Sequence, residues 1–203
     1  ASTARALAEL GHHVRVLDAQ GPAAGASGLP AGLFAIHTSG DDNTLSRLTR
    51  MGLRHTRGRL SALEPGQDWA PSGLDEHLLG TKAKRQLPTD LALAHGWTEH
   101  VDALDRAKLD WWQPMTGGWH QPKAGWLKPG QLVRHLLDHP AIETTWGWSI
   151  QKLQKRPQGW ELGDGQGRLI TGAQNVIVAM GPASTPLLDT CGVSLALQPV
   201  RGQ

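Results

Sequence analysis

The chain has 203 residues, 39% of them apolar, and a formal net charge of +2, enough for one domain with a substantial core or one domain plus part of another, and without an apolar run of bilayer-spanning length. The one cysteine, Cys191, excludes an internal disulfide and a cysteine-based metal cluster, as expected in a reducing cytoplasm. The mild charge neither requires nor forbids a nucleic-acid partner.

In chain order, Ala1, Ala4, Leu7, Ala8 and Gly11 recur at helical spacing, and His12-His13 lead into a short apolar strand, Val14 to Leu17, that ends on Asp18. Helix, tight turn, strand and acid is the order of the second half of a dinucleotide-binding βαβ unit, in which the acid accepts hydrogen bonds from the adenosine ribose. An ordinary amphipathic helix followed by a strand gives the same pattern. The glycine loop that precedes such a helix is not among these residues, so the sequence reads as a fragment. Gly21 to Leu33 is then rich in Gly and Ala around Ser27, a composition that lets backbone N–H groups approach a phosphate while a hydroxyl donates a further bond.

These residues resemble the FAD-dependent oxidoreductases of the D-amino-acid oxidase and glycine oxidase type. The resemblance implies that Asp18 holds the ribose, that Ala26, Ser27 and Gly28 wrap the pyrophosphate, and that Gly32 and Leu33 run along the flavin side. Asp18 stands where the family more often has Glu, whose longer side chain reaches both ribose hydroxyls.

Further along, Asn43 or Thr44 caps an expected helix from about Leu45 to Leu63, with Leu45, Leu48, Gly52, Leu60 and Leu63 on one side. Arg47, Arg50, Arg54 and Arg57 gather on the other within roughly an 80° stripe. That stripe is either a solvated face or a docking surface for a polyanion such as tRNA. Residues 64–74 are turn-rich, Lys82, Lys84 and Arg85 form a basic knot, and Leu91 to Leu109 shows weak helical periodicity.

Gly117-Gly118-Trp119, then Pro122, Gly125-Trp126-Leu127 and Pro129, reads as an aromatic strand, a turn and a helix opened by proline and running to about His139. This run is similar to one in the FAD domain of the bacterial bifunctional enzymes that build 5-methylaminomethyl-2-thiouridine in tRNA. Two β-like segments follow, Ile142 to Trp146 and Trp148 to Leu153, and then a hairpin turn at Asp164-Gly165. The resemblance places the main chain near Ile150 beside the adenine. Asn175 to Gly181 is a fully apolar run closed by glycine, which predicts a buried parallel strand. By the same resemblance Ala179 and Gly181 allow close approach to the FAD phosphates, and Pro199 to Gln203 opens a strand towards the substrate side.

The expected fold is α/β: an incomplete FAD-binding Rossmann-like core from residues 1–36 and 141–189, with a partial α+β substrate lobe at 37–140 and 190–203. The implied activity of the whole protein is FAD-dependent oxidation of a C–N bond. Its nearest form is removal of the carboxymethyl group from 5-carboxymethylaminomethyl-2-thiouridine at the tRNA wobble position, completed by an upstream methyltransferase domain. A small-molecule amine or amino-acid oxidase shares the FAD features without needing the arginines, and an inactive truncated product is the third reading. No catalytic acid or base is assigned, because an amine can lose hydride to flavin without one. His135 and His139 lack a third ligand of suitable spacing, so no metal is expected; the compartment expected is the cytoplasm.

Overall fold

A computed structural model describes residues 1–77, 96–97, 99–101 and 118–197. The basic knot at Lys82 to Arg85, most of the weakly helical stretch after Leu91, residues 111–117 and the terminal Pro199 to Gln203 lie outside the described residues. Element order is α1 (Ser2–Glu9), β1 (Val14–Asp18), β2 (Gly32–Phe34), α2 (Thr44–Leu60), β3 (Trp69–Ala70), β4 (Leu74–His77), β5 (Glu99–Val101), β6 (Gly118–Gln121), β7 (Gly125–Leu127), α3 (Pro129–Leu137), β8 (Ile142–Trp146), β9 (Ile150–Arg156), β10 (Gly159–Asp164), β11 (Leu169–Ala173) and α4 (Ser184–Asp189). The chain divides into two compact units, one of Ala1–Ala24 with Leu137–Gln203 and one of Gly25–Leu136. The boundary puts residues 25–36 in the intervening unit.

In the first unit α1 buries Ala4 and Ala8, the two small residues one turn apart. It stops in a Schellman turn: Gly11, at φ 87°, donates its N–H to Ala8 O, and His12 N–H reaches Leu7 O. The turn delivers the chain into β1, which pairs in parallel with β8 so that Val14 faces Ile142 and Asp18 faces Trp146. Arg15 and Glu143 are partners in this ladder and form an ion pair between exposed side chains. Beyond β8, strands β9, β10 and β11 form an antiparallel meander. Its second turn is fixed by Asp164, whose Oδ1 accepts the N–H groups of Gln166 and Arg168. Leu153, Leu162 and Leu187 make the core of this unit.

One expectation is overturned here. Residues 175–180 form no strand among the described residues, and Ile177 is 56% exposed. Val176 and Val178 do pack on the Leu153 cluster while Ile177 faces out. The segment thus keeps the two-residue alternation of an extended chain, but a strand also needs a ladder partner, and no described strand pairs with it.

The second unit holds two antiparallel sheets, β2-β7-β3 and β4-β6-β5. Asn43 caps α2, its side chain accepting the Ser46 N–H at 3.1 Å. The buried face of α2 is Ser46, Leu53 and Leu60, at seven-residue intervals, and not the predicted stripe through Leu45 and Leu48, which are 53% and 57% exposed. At roughly 100° per residue the four arginines then lie beside the buried face instead of opposite it. Leu53 and Leu60 join Phe34, Ile36, Trp97 and Leu127 in the core of this unit. Gln121, 2% exposed, ties β6 to residue 36: its Oε1 accepts the Ile36 N–H and its Nε2 donates to Ile36 O.

Candidate cofactor site

Asp18 sits at the end of β1, where its carboxylate closes the turn after the strand. Oδ1 accepts the backbone N–H groups of Gln20 at 2.8 Å and Gly21 at 2.9 Å. Asp18 is exposed, and no hydrogen bond from a described residue to Oδ2 accompanies the two that Oδ1 accepts. The Asp18 carbonyl accepts the Trp148 N–H at 3.1 Å, which joins the end of β1 to the approach of β9 and its first residue, Ile150.

Ile150, Leu17, Val176 and Val178 all pack against the same Leu153, Leu162 and Leu187 cluster. That cluster therefore anchors the chain beside Asp18, Ile150 itself, and the chain leading to Ala179 and Gly181. Gly181 has φ 57° and open space where a Cβ would stand, and it opens a short 3-10 turn that leads into α4. The Met180 N–H is held by Ser184 Oγ at 3.2 Å.

The other candidates lie in the Gly25–Leu136 unit. Ala26, Ser27 and Gly28 form a 3-10 turn closed by Gly28 N–H to Gly25 O at 2.9 Å. Gly32 and Leu33 begin β2, with Leu33 72% exposed. Strand β2 pairs with β7 in the register Gly32 with Leu127, Leu33 with Trp126 and Phe34 with Gly125. A Cβ on Gly32 would stand 3.2 Å from the Pro129 ring, so the Gly-Trp-Leu-x-Pro run backs the strand that carries Gly32 and Leu33.

The arginine stripe divides. Arg50 pairs with Asp42 at 2.6 Å and Arg47 with the same carboxylate at 3.3 Å, so the first two hold the start of α2. Asp42 lies just before the Asn43 cap, outside the helix that carries the arginines. Arg54 and Arg57 instead line a pocket with Trp97 and Lys123. Sequence reading missed Trp97 and Lys123, since residues 26 positions apart carry no local signal of sharing a pocket. No group of three or more metal-capable side chains occurs among the described residues, and His139 Nδ1 accepts the Ala141 N–H.

The family model described as FAD dependent oxidoreductase, DAO, matches residues 1–203. The chain belongs to this family. Among relatives, the tRNA 5-methylaminomethyl-2-thiouridine biosynthesis bifunctional protein MnmC of Verminephrobacter eiseniae is 40% identical over 216 residues, covering all of this chain and 34% of that protein. The protein of the same name from Polaromonas sp. is 38% identical over 223 residues, covering 100% of the chain and 33% of the relative. The chain thus spans about a third of the length of these curated relatives. Among solved structures, glycine oxidase from Geobacillus kaustophilus superposes with a TM-score of 0.75 at 16% identity, over 96% of this chain and 55% of that one. Glycine oxidase from Bacillus cereus gives 0.71 at 21% identity, over 93% and 54%. These likenesses confirm the α/β fold of a DAO flavoprotein. Among the described residues no helix is long and apolar enough to cross a membrane.

Proposed function

We propose that the full-length protein carrying this chain is an FAD-dependent oxidase of a C–N bond in tRNA, acting on 5-carboxymethylaminomethyl-2-thiouridine at the wobble position in the cytoplasm. The observation that carries this reading is identity of 38–40% along the whole chain to proteins named for 5-methylaminomethyl-2-thiouridine biosynthesis. The bound flavin supplies the acceptor for the substrate's hydride.

The residues present suit the adenosine end of that cofactor. Asp18 offers Oδ2 as an acceptor for a ribose hydroxyl while Oδ1 fixes the loop. The Trp148 to Asp18 bond holds the main chain at Ile150 close to that carboxylate, as adenine recognition requires. Ala26, Ser27 and Gly28 offer small side chains and a hydroxyl to phosphate; Gly181, with open space where a Cβ would stand, and the small, exposed Ala179 suit close backbone approach. Gly32 and Leu33 run along the flavin. The chain's own work is binding and orientation.

The second reading, an oxidase of a small amine, is favoured by the fold likeness to glycine oxidases. The test incubates the full-length, FAD-loaded protein separately with tRNA bearing the carboxymethylaminomethyl group and with glycine and sarcosine, following flavin bleaching without oxygen. Bleaching by the tRNA alone supports the first reading; bleaching by the amino acids alone overturns it.

A further inference from the structure

Two cationic side chains of the Gly25–Leu136 unit, Arg54 and Lys123, meet over one buried indole, and a third, Arg57, lines the same pocket. Trp97 is 4% exposed and belongs to the core with Leu53 and Leu60, the inner residues of α2. Arg54 follows Leu53 directly and lays its guanidinium carbon 5.3 Å from the Trp97 ring centre, while Lys123 Nζ lies 4.3 Å from the same centre. Arg57, one turn on, donates from Nη1 to the Lys123 carbonyl at 3.0 Å, which pins the β6-β7 turn to α2. Together the four residues line an open pocket of about 370 Å³, and no carboxylate is among its described lining residues.

The physical consequence is local. Arg54 and Lys123 are attracted to the indole face, yet the repulsion among neighbouring cations grows as they are gathered beside a low-dielectric core. Arg47 and Arg50 have this repulsion relieved by Asp42. Arg54 and Arg57 form no ion pair with a described carboxylate, and Arg57 commits only one of its five donors to the Lys123 carbonyl. An anion with several oxygens, entering from solvent, can accept from the guanidinium forks of Arg54 and Arg57 at once. The pocket is open and its aromatic floor is already covered by cations, which suits a charged group on the outside of a large ligand better than a small molecule that must be enclosed.

We infer that Arg54, Arg57 and Lys123, which line one pocket with Trp97, form a subsite for a backbone phosphodiester of the RNA substrate. This rests on the reading that the protein acts on tRNA. Phosphate contacts of this kind fix the register of a nucleic acid without reading its bases.

The test measures binding of a fluorescently labelled tRNA anticodon stem-loop to the full-length protein by anisotropy across a potassium chloride series. Arg54→Gln, Arg57→Gln and Lys123→Gln are compared with Lys155→Gln, which removes a cation that lies 5.1 Å from the Trp160 ring centre in the other unit. The expected result is that each pocket variant weakens binding about 3- to 10-fold at low salt and lowers the log–log salt slope by roughly 0.7–0.9. Arg54→Lys restores the slope, inorganic phosphate competes with the wild type, and Lys155→Gln changes neither quantity. Arg57→Gln removes a tether, so Arg54→Gln, at an exposed position, carries the result if thermal melting shows the former to be unfolded. Wild-type RNA binding with pocket variants that behave like Lys155→Gln overturns the subsite and leaves the tRNA reading standing. No RNA binding by the wild type at any salt overturns the tRNA reading, and the subsite with it.

Discussion

The backbone N–H of Trp148 donates to the carbonyl of Asp18 across 3.1 Å, joining residues 130 positions apart at the end of a two-stranded parallel ladder. The bond uses only main-chain atoms, so it leaves the Asp18 carboxylate for the loop and for a ligand. It also explains how one strand end can present an acid beside the segment that leads to Ile150.

Asp18→Ala in the full-length protein is expected to weaken FAD binding by about 10- to 100-fold, the range for losing a hydrogen bond to a charged group. Titration of the apoprotein followed by flavin fluorescence checks it. Asp18→Asn keeps an oxygen for the Gln20 and Gly21 N–H groups and is expected to lose less.

Gly125→Ala tests the packing of β7. The added methyl would collide with the carbonyl oxygen of Ala70 and stand 2.8 Å from the Phe34 ring, so backbone has to move. A loss of about 2 kcal/mol or more is expected, read as a lower thermal midpoint.

Gln121→Leu removes two hydrogen bonds that satisfy the buried N–H and C=O of Ile36. A leucine of similar size fills the space but leaves both groups orphaned, and about 2–4 kcal/mol of stability should go. Denaturant unfolding with an unchanged m-value is the expected form of the result.

Acid weakens the first unit through two carboxylates. The hydrogen bond from Arg15 is the main cause that holds Glu143 below its ordinary value of 4.5. Burial pushes Asp164 up, but hydrogen bonds from the Arg168 side chain and from the Arg168 and Gln166 N–H groups outweigh it and leave the carboxyl below 3.8. Both pKa values are depressed in the folded chain, so their stabilisation is present above the ordinary values and is lost as pH falls through the folded ones. Thermal midpoints should therefore drop more steeply below about pH 4 in the wild type than in Asp164→Asn.

Arg50→Ala is expected to act on stability before it acts on RNA. Among the described residues it leaves the Asp42 carboxylate, 11% exposed and on a residue with φ 46°, with the more distant Arg47 as its ion-pair partner. A loss of about 1–3 kcal/mol follows from a half-satisfied buried charge, measured by urea unfolding. A variant at Arg50 thus mixes folding with the proposed RNA contact, whereas Arg54, which pairs with no described carboxylate, separates them better.

Local chemistry was readable in the sequence. The Ala4–Ala8 face, β1 ending on Asp18, the Asn43 cap and the Asp164 turn each depend on residues within a few positions of one another, while the order of motifs that marks the DAO family runs along most of the chain. Tertiary structure alone decided which partners those pieces met. It chose Ser46, Leu53 and Leu60 over Leu45 and Leu48 as the inner face of α2, because one helix carries several apolar stripes and only a neighbouring surface selects among them. It left residues 175–180 without a ladder, because an apolar run encodes burial but not the strand beside it. It also split four arginines, three or four residues apart, into two bound to Asp42 and two that line a pocket with Trp97, since charge spacing fixes a stripe on a helix while the groups that meet that stripe come from elsewhere in the chain.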